Sequence, residues 1–204
     1  MNKKVKQILF LGLFLLFCFL LVKNYLYSST IQSNKLPPSL VLKDGDIILR
    51  KETNQISDIF AKVNNSSYSH SGTIIIQNNK IKVFHIEDNE EISDYKISSI
   101  EQFLLYCSDY KIMRAIEKVD SKKLHYEVKK ILKLNPSFDF QFNGDKSDNA
   151  IYCTELTLML YNTSIPKPLE SKKETYLNFN FIPITLFENQ KYFVNIYNPP
   201  LTHH

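Results

Sequence analysis

Cys153 and His70 are the two side chains whose type and setting could do chemistry together. Cys153 lies in Ile151-Tyr152-Cys153-Thr154-Glu155-Leu156, at the start of an apolar stretch predicted to be helical from Ile151 to Tyr161. The first turn of a helix exposes N–H groups that no carbonyl within the helix can satisfy. Such a setting, with an imidazolium nearby, lowers a thiol's pKa from roughly 8.5 to about 3.5–7.5, and the same N–H groups can hold an oxyanion. His70 lies in Ser69-His70-Ser71-Gly72, where the polar loop Asn64 to Ser69 meets an apolar strand. The chemistry expected of this pair is nucleophilic attack by Cys153 with His70 as base. Iodoacetamide should then modify Cys153 at pH 6 faster than a simple peptide thiol, and His70→Ala should abolish the excess. The plainer alternatives are a Cys153 buried as a small hydrophobe, or paired with Cys107 in a disulfide.

A third group would orient the histidine. The apolar runs His70 to Gln77 and Lys80 to Glu87 flank Asn78-Asn79, residues that tolerate positive φ and suit a two-residue hairpin turn. That turn sets Gly72 opposite His85 and His70 opposite Glu87. All three polar side chains then project to one side, with His70 and His85 as a diagonal pair, while Phe84 and Ile86 point the other way. A register slip of one residue would part His70 from His85. His70 then has a polar neighbour, His85 or Glu87, that can fix its tautomer, with Gly72 leaving room beside the ring. Glu155 suits the helix dipole better than catalysis, because an adjacent carboxylate raises a thiol's pKa. Cys107, Cys153, His70 and His85 show no C-x-x-C or H-x-x-x-H spacing, so neither a metal nor another cofactor is expected. His203 and His204 close the chain and read as a tail.

Several elements must position these groups. A first strand is predicted over Asp46 to Arg50 and a short helix through Ile56, Ile59, Phe60 and Val63. Ser98-x-x-Glu101 reads as a capping box opening a helix through Tyr106. A strand follows over Tyr110 to Ala115, then an amphipathic helix over Ser121 to Leu134 stopped by Asn135-Pro136. Phe138 to Phe142 is aromatic and irregular, and Tyr192 to Ile196 reads as a last strand. Helices interspersed with hairpins argue for an α+β fold.

Lys3, Lys4 and Lys6 precede an apolar run from Ile8 to Val22, extendable to Tyr27. We read residues 1–27 as a signal anchor (an N-terminal membrane helix), 28–42 as a linker and 43–204 as one domain outside the cytoplasm. Secretion after signal cleavage is the alternative. Four of the 25 basic residues belong to the anchor, and the other 21 balance 21 acidic residues. A neutral exported part gives no electrostatic case for nucleic acid as a partner. The oligomeric state is not legible in the sequence.

In this order these residues resemble the circularly permuted papain-like amidases and peptidases of the NlpC superfamily, in particular the YiiX-like branch. The resemblance covers about Lys43 to Tyr161. It rests on Gly45-Asp46-Ile47-Ile48, Ser69-His70-Ser71-Gly72, Val83-Phe84-His85, Phe138-Asp139-Phe140 and Tyr152-Cys153-Thr154-Glu155-Leu156. In unpermuted papain-like amidases the cysteine precedes the histidine; here His70 comes 83 positions before Cys153, as in a permuted chain. The resemblance implies an antiparallel sheet packed against a cysteine-bearing helix, with Cys153 as nucleophile, His70 as base and His85 as orienting residue, Glu87 being the reserve. It implies a substrate and oxyanion neighbourhood at Thr154, Glu155 and Phe138. Thr154 stands where relatives have Ser. Phe138 stands where they tend to have Tyr, so a hydroxyl is missing there.

The first expectation is a membrane-anchored cysteine amidase or peptidase acting on cell-wall peptide. The second, also implied by the superfamily, keeps the site and makes it a lipid acyltransferase or deacylase resembling lecithin retinol acyltransferase, with the bilayer reached through residues 8–27. The third is a non-catalytic binding module, which a Cys107–Cys153 disulfide would favour.

Overall fold

β-Branched and aromatic residues dominate the central strands, and all of these pair antiparallel. In the computed structural model the described residues are 36–53, 55–87, 95–105, 107–142, 149–170, 173–176 and 179–199. The chain runs β1 (Ile47–Glu52), α1 (Gln55–Val63), β2 (His70–Gln77), β3 (Lys80–Ile86), β4 (Tyr95–Ser99), α2 (Ile100–Phe103) and β5 (Cys107–Ala115). It continues with α3 (Ser121–Leu134), β6 (Ser137–Phe138), β7 (Ala150–Ile151), α4 (Cys153–Ser164), β8 (Glu174–Tyr176), β9 (Phe179–Phe181), α5 (Thr185–Glu188) and β10 (Phe193–Tyr197). Six strands form one sheet in the order β10-β5-β1-β2-β3-β4, and the mixture of elements is the expected α+β class.

The hairpin forms as its turn residues demand. Asn78 and Asn79 take φ of 52° and 59°, the primed-turn conformation. Thr73 then pairs with Phe84 and Gln77 with Lys80, which is the expected register. Because side chains alternate across a sheet, the two faces carry separate cores. Phe84, Ile86 and Ile75 pack on one face with Leu124 and Val128 of α3 and with Cys153, Leu156 and Leu160 of α4. Ile48, Ile74 and Val83 pack on the other with Ile100 and Phe103 of α2 and with Cys107.

The capping box is displaced by one residue from its expected place. Ser99 caps α2, accepting from Gln102 N–H at 3.2 Å, while Gln102 Oε1 accepts from Ser99 N–H at 2.8 Å. Ser98 is instead the buried neighbour of His85 in β4, so its hydroxyl is engaged elsewhere. The helix is also shorter than expected, ending at Phe103; Tyr106 lies outside the described residues. α3 begins and ends as predicted, with Asp120 accepting from Lys122 and Lys123 N–H and Asn135 left-handed at φ 49°. The cysteine helix starts two residues late because Ile151 is a strand residue, paired with Phe138. No helix among the described residues is long and apolar enough to cross a membrane; the run Ile8 to Val22 lies outside them.

Candidate active site

α4 is buried on nearly every side, so Cys153 enters the interior at the head of a central helix. Its N-cap is Tyr152, whose side chain makes no capping hydrogen bond to the first turn. Ile182 N–H instead donates to the Tyr152 hydroxyl at 2.9 Å. A Ser or Asp cap would have consumed a first-turn donor; Tyr152 leaves those N–H groups to other acceptors. The Cys153 thiol lies beside them, and the Ser71 N–H and hydroxyl and the Thr154 N–H are the groups that favour its ionised form.

The strand explains the contact with Ser71. Ile74 N–H donates to Asp46 of the β1 side, so even-numbered N–H groups of β2 face β1 and odd-numbered ones face β3. Among the described residues the β2–β3 pairing ends at Thr73 and Phe84, although β2 begins at His70 and β3 runs to Ile86. Ser71 N–H therefore points to where the two strands part, where it favours the ionised thiol. Ser71 turns its side chain to α4, where its hydroxyl lies 3.0 Å from Thr157 Oγ1. His70, the preceding residue, projects to the opposite face. Thiol and imidazole thus approach the same end of β2 from its two faces.

The hairpin brings His70, His85 and Glu87 together. His70 Nε2 is 3.3 Å from His85 Nδ1 and 3.8 Å from Glu87 Oε1, and His85 Nδ1 is 3.3 Å from the same oxygen. Beyond it, His85 Nε2 meets Ser98 Oγ at 2.8 Å. Both rings pack against Phe103. The Arg50 guanidinium lies over that ring at 4.3 Å and bonds the carboxylates of Glu52 and Glu87 and the Phe103 carbonyl.

Two ionisations depart from ordinary values. Burial pushes Glu87 up, but the His85 hydrogen bond and the charges of His70, Arg50 and His85 outweigh it and hold the carboxyl well below the usual range. For Cys153 the balance reverses. Burial pushes the thiol up, and the Ser71 and Thr154 hydrogen bonds and Arg50 oppose it without prevailing. This corrects the expectation of a lowered thiol pKa: a helix start inside the core costs the thiolate more hydration than its amides return. Cys153 is therefore a protonated thiol at neutral pH, and fast alkylation at pH 6 is not expected. Neither described cysteine is in a disulfide, and Cys107 lies on the other face, so the disulfide alternative does not hold.

Glu87→Gln is expected to destabilise the fold by about 2–3 kcal/mol in urea unfolding, because Arg50 stays buried with one counter-charge fewer. The sign with pH follows from the depressed carboxyl. Glu87 stabilises above its unfolded pKa of about 4.5, and this is lost only as pH falls through the much lower folded value. The wild-type advantage should hold from neutrality to about pH 4.5 and shrink only in stronger acid.

The remaining predicted residues flank the site. Thr154 donates its hydroxyl to Ile182 O at 2.7 Å, a structural use. Glu155 sits half-buried in the first turn, as the dipole argument expects. Phe138 packs edge-on to Phe140 and Phe142, and its strand partner Ile151 is two residues before the thiol. Arg50, Ser71, Ser98 and Phe103 were not singled out as site residues by the sequence. Only Arg50 carried a signal, as a charge at an inward position of an apolar strand.

Among the described residues, His70, His85 and Glu87 are a group able to hold a metal ion, with ligand atoms within 4.8 Å of one another. Two imidazoles and a carboxylate are a donor set that zinc accepts. Arg50, however, already bonds the Glu87 oxygen that a cation would need.

A family model described as permuted papain-like amidase enzyme, YaeF/YiiX, C92 family, matches residues 41–180. The uncharacterized protein YiiX of Escherichia coli (strain K12) is 26% identical over 124 residues, which is 59% of this chain and 58% of that protein. The match thus spans less than two thirds of the relative's length. A crystal structure of metalloprotein yiiX from Escherichia coli O157:H7 superposes with a TM-score of 0.59 at 17% identity. It covers 77% of this chain and 97% of that one, a likeness of fold.

Proposed function

Because the chain belongs to the YaeF/YiiX, C92 family of permuted papain-like amidases, we propose that it is a cysteine hydrolase that cleaves an amide bond through Cys153, with His70 as base. The single observation that carries this reading is the placement of both groups at the first two residues of β2, on its two faces. A thiol at an uncapped helix start lies beside Ser71, and the His70–His85–Glu87 set begins at the preceding residue.

The contacts of the ring pair support these roles. His85 holds Ser98 Oγ on Nε2 and lies with Nδ1 beside both His70 Nε2 and Glu87 Oε1, so it fixes the orientation of the His70 ring. The ionised Glu87 beside both rings stabilises the imidazolium that results. Since the resting thiol is protonated, its proton must leave during attack on the carbonyl; His70 is assigned to take it and return it to the leaving amine, which requires the imidazole to reach the sulfur around the open end of β2. First-turn N–H groups of α4 are placed to receive the oxyanion. Water then resolves the acyl-enzyme.

We assign the substrate class to peptide amides outside the cytoplasmic membrane, as in cell-wall peptide. The support is the basic–apolar pattern of Lys3 to Val22 together with the amidase family. Lipid acyl transfer on the same site is the second outcome of the test. The purified chain is offered cell-wall stem peptides and, separately, phospholipid vesicles, and release of amine or of fatty acid is followed. Amide cleavage that stops on alkylation of Cys153 is expected. Fatty-acid release alone would move the protein to the lipid reading, and amide cleavage that survives alkylation would overturn the mechanism.

The relative described as a metalloprotein raises the question of a metal here. The donors are of the right type, but a divalent cation on Glu87 Oε1 would share it with the Arg50 guanidinium. The residues present do not suit a resident metal, and no step is derived through one. Dialysis against EDTA is expected to leave both hydrolysis and the unfolding temperature unchanged; loss of either would contradict this.

A further inference from the structure

Three donor atoms on the β2–β3 hairpin are spaced as they would be around a metal ion. His70 Nε2 and His85 Nδ1 are 3.3 Å apart, His85 Nδ1 and Glu87 Oε1 also 3.3 Å, and His70 Nε2 and Glu87 Oε1 3.8 Å. Ligands about 2.0–2.1 Å from a tetrahedral zinc ion lie roughly 3.3–3.5 Å from one another. His85 carries the outer-nitrogen partner typical of a metal ligand, Ser98 Oγ at 2.8 Å from Nε2. Glu87 keeps part of its side chain exposed, so an ion could reach the cluster. Donor type, spacing and access therefore do not explain the misfit of a metal. Charge does.

The cation already present is Arg50. It pairs with His70 across β1 and β2, and opposed residues share a face, so its side chain turns to the same side as the rings. Its Nη atoms bond Glu87 Oε1, Glu52 Oε1 and the Phe103 carbonyl, and its guanidinium lies over the Phe103 ring at 4.3 Å. Nε is buried without a hydrogen-bond partner among the described residues, so the Nη contacts set the orientation. A guanidinium does not deprotonate in a protein, and its positive charge is permanent. A divalent ion on the same carboxylate oxygen would lie close to that charge in a buried setting, where like charges repel far more strongly than in water.

We propose that Arg50 is the resident cation of a metal-type site. Its guanidinium takes the part of a divalent ion toward Glu87 and the two rings, and its charge keeps transition metals out. One substitution, the loss of Arg50, should then uncover a zinc site with His70, His85 and Glu87 as ligands. The proposal concerns ligation and charge alone, and it does not depend on Cys153 being the nucleophile.

Cobalt(II) is the probe, because a four-coordinate site gives it strong visible absorption. It is titrated into the full chain, into Arg50→Leu and into Arg50→Leu/His85→Ala. Arg50→Leu is expected to bind one ion per chain on the order of 100-fold more tightly than wild type, since a buried like charge no longer opposes it. The added His85→Ala is expected to abolish that absorption, which separates the cluster from any adventitious site. Zinc is expected to raise the unfolding temperature of Arg50→Leu and to leave that of wild type unchanged. Equal affinity in wild type and Arg50→Leu, or no cobalt band in a folded Arg50→Leu, would overturn the proposal. Should Arg50→Leu not fold, wild type decides: a zinc-dependent rise in its unfolding temperature that His85→Ala removes would overturn it, and the absence of a rise would support it. Hydrolysis that persists in Cys153→Ala would remove the nucleophile assignment and leave the role of Arg50 standing.

Discussion

Alanine at position 153 is expected to lower kcat/KM for amide hydrolysis by about 10⁴-fold or more, to the background of the uncatalysed reaction. The thiol supplies the bond-forming electron pair, and no other described cysteine can substitute. Cys107 lies on the other face of the sheet, its sulfur donates to Asp109 O at 2.9 Å, and burial pushes its pKa up to about 11. His70→Ala is expected to be nearly as damaging, with the double variant no worse than either single one, because nucleophile and base act as a unit. Ordinary papain-like chemistry with a resting thiolate would show thiolate absorbance at neutral pH. Here that absorbance is expected to be absent, since burial keeps Cys153 protonated until His70 acts. Hydrolysis retained in Cys153→Ala would end the assignment.

Gly72→Ala is expected to destabilise the fold by about 2–3 kcal/mol, lowering the unfolding midpoint by roughly 5–10 °C. An added Cβ would stand 2.5 Å from Val83 Cγ1 and 3.1 Å from the Phe103 ring. Val83 is fully buried in β3 and stiff at χ1, so it cannot turn aside cheaply. Phe103 supports the His70 and His85 rings and the Arg50 guanidinium, so its displacement would also disturb the base. Relief should come from Val83→Ala. In the Gly72→Ala/Val83→Ala double variant the combined loss is expected to fall short of the sum of the singles. Strict additivity would show that the contact is not the cause.

How much of the site was legible follows from which interactions are local. The Asn78-Asn79 turn fixes register over a dozen neighbouring residues, so the sequence placed His70, His85 and Glu87 on one side. The end of α3 was legible for the same reason, since Asn135 acts within its own turn. Ser98 was misread because its partner is a ring on another strand, and no local pattern separates a capping serine from one that meets His85. β8 and β9 are three residues each, too short to show an alternation.

Residue types and their order alone determined the α+β class, the hairpin and its register, and the membership of a permuted papain-like family in which histidine precedes cysteine. Only the tertiary structure decided that Cys153 lies in the core, where burial pushes its thiol up, and that Arg50 holds the carboxylate beside the histidines. Register is set by a turn two residues long. Desolvation and ion pairing are set by whichever distant segments close over a group, and those segments meet only when β1, α2 and α4 pack on the two faces of the sheet.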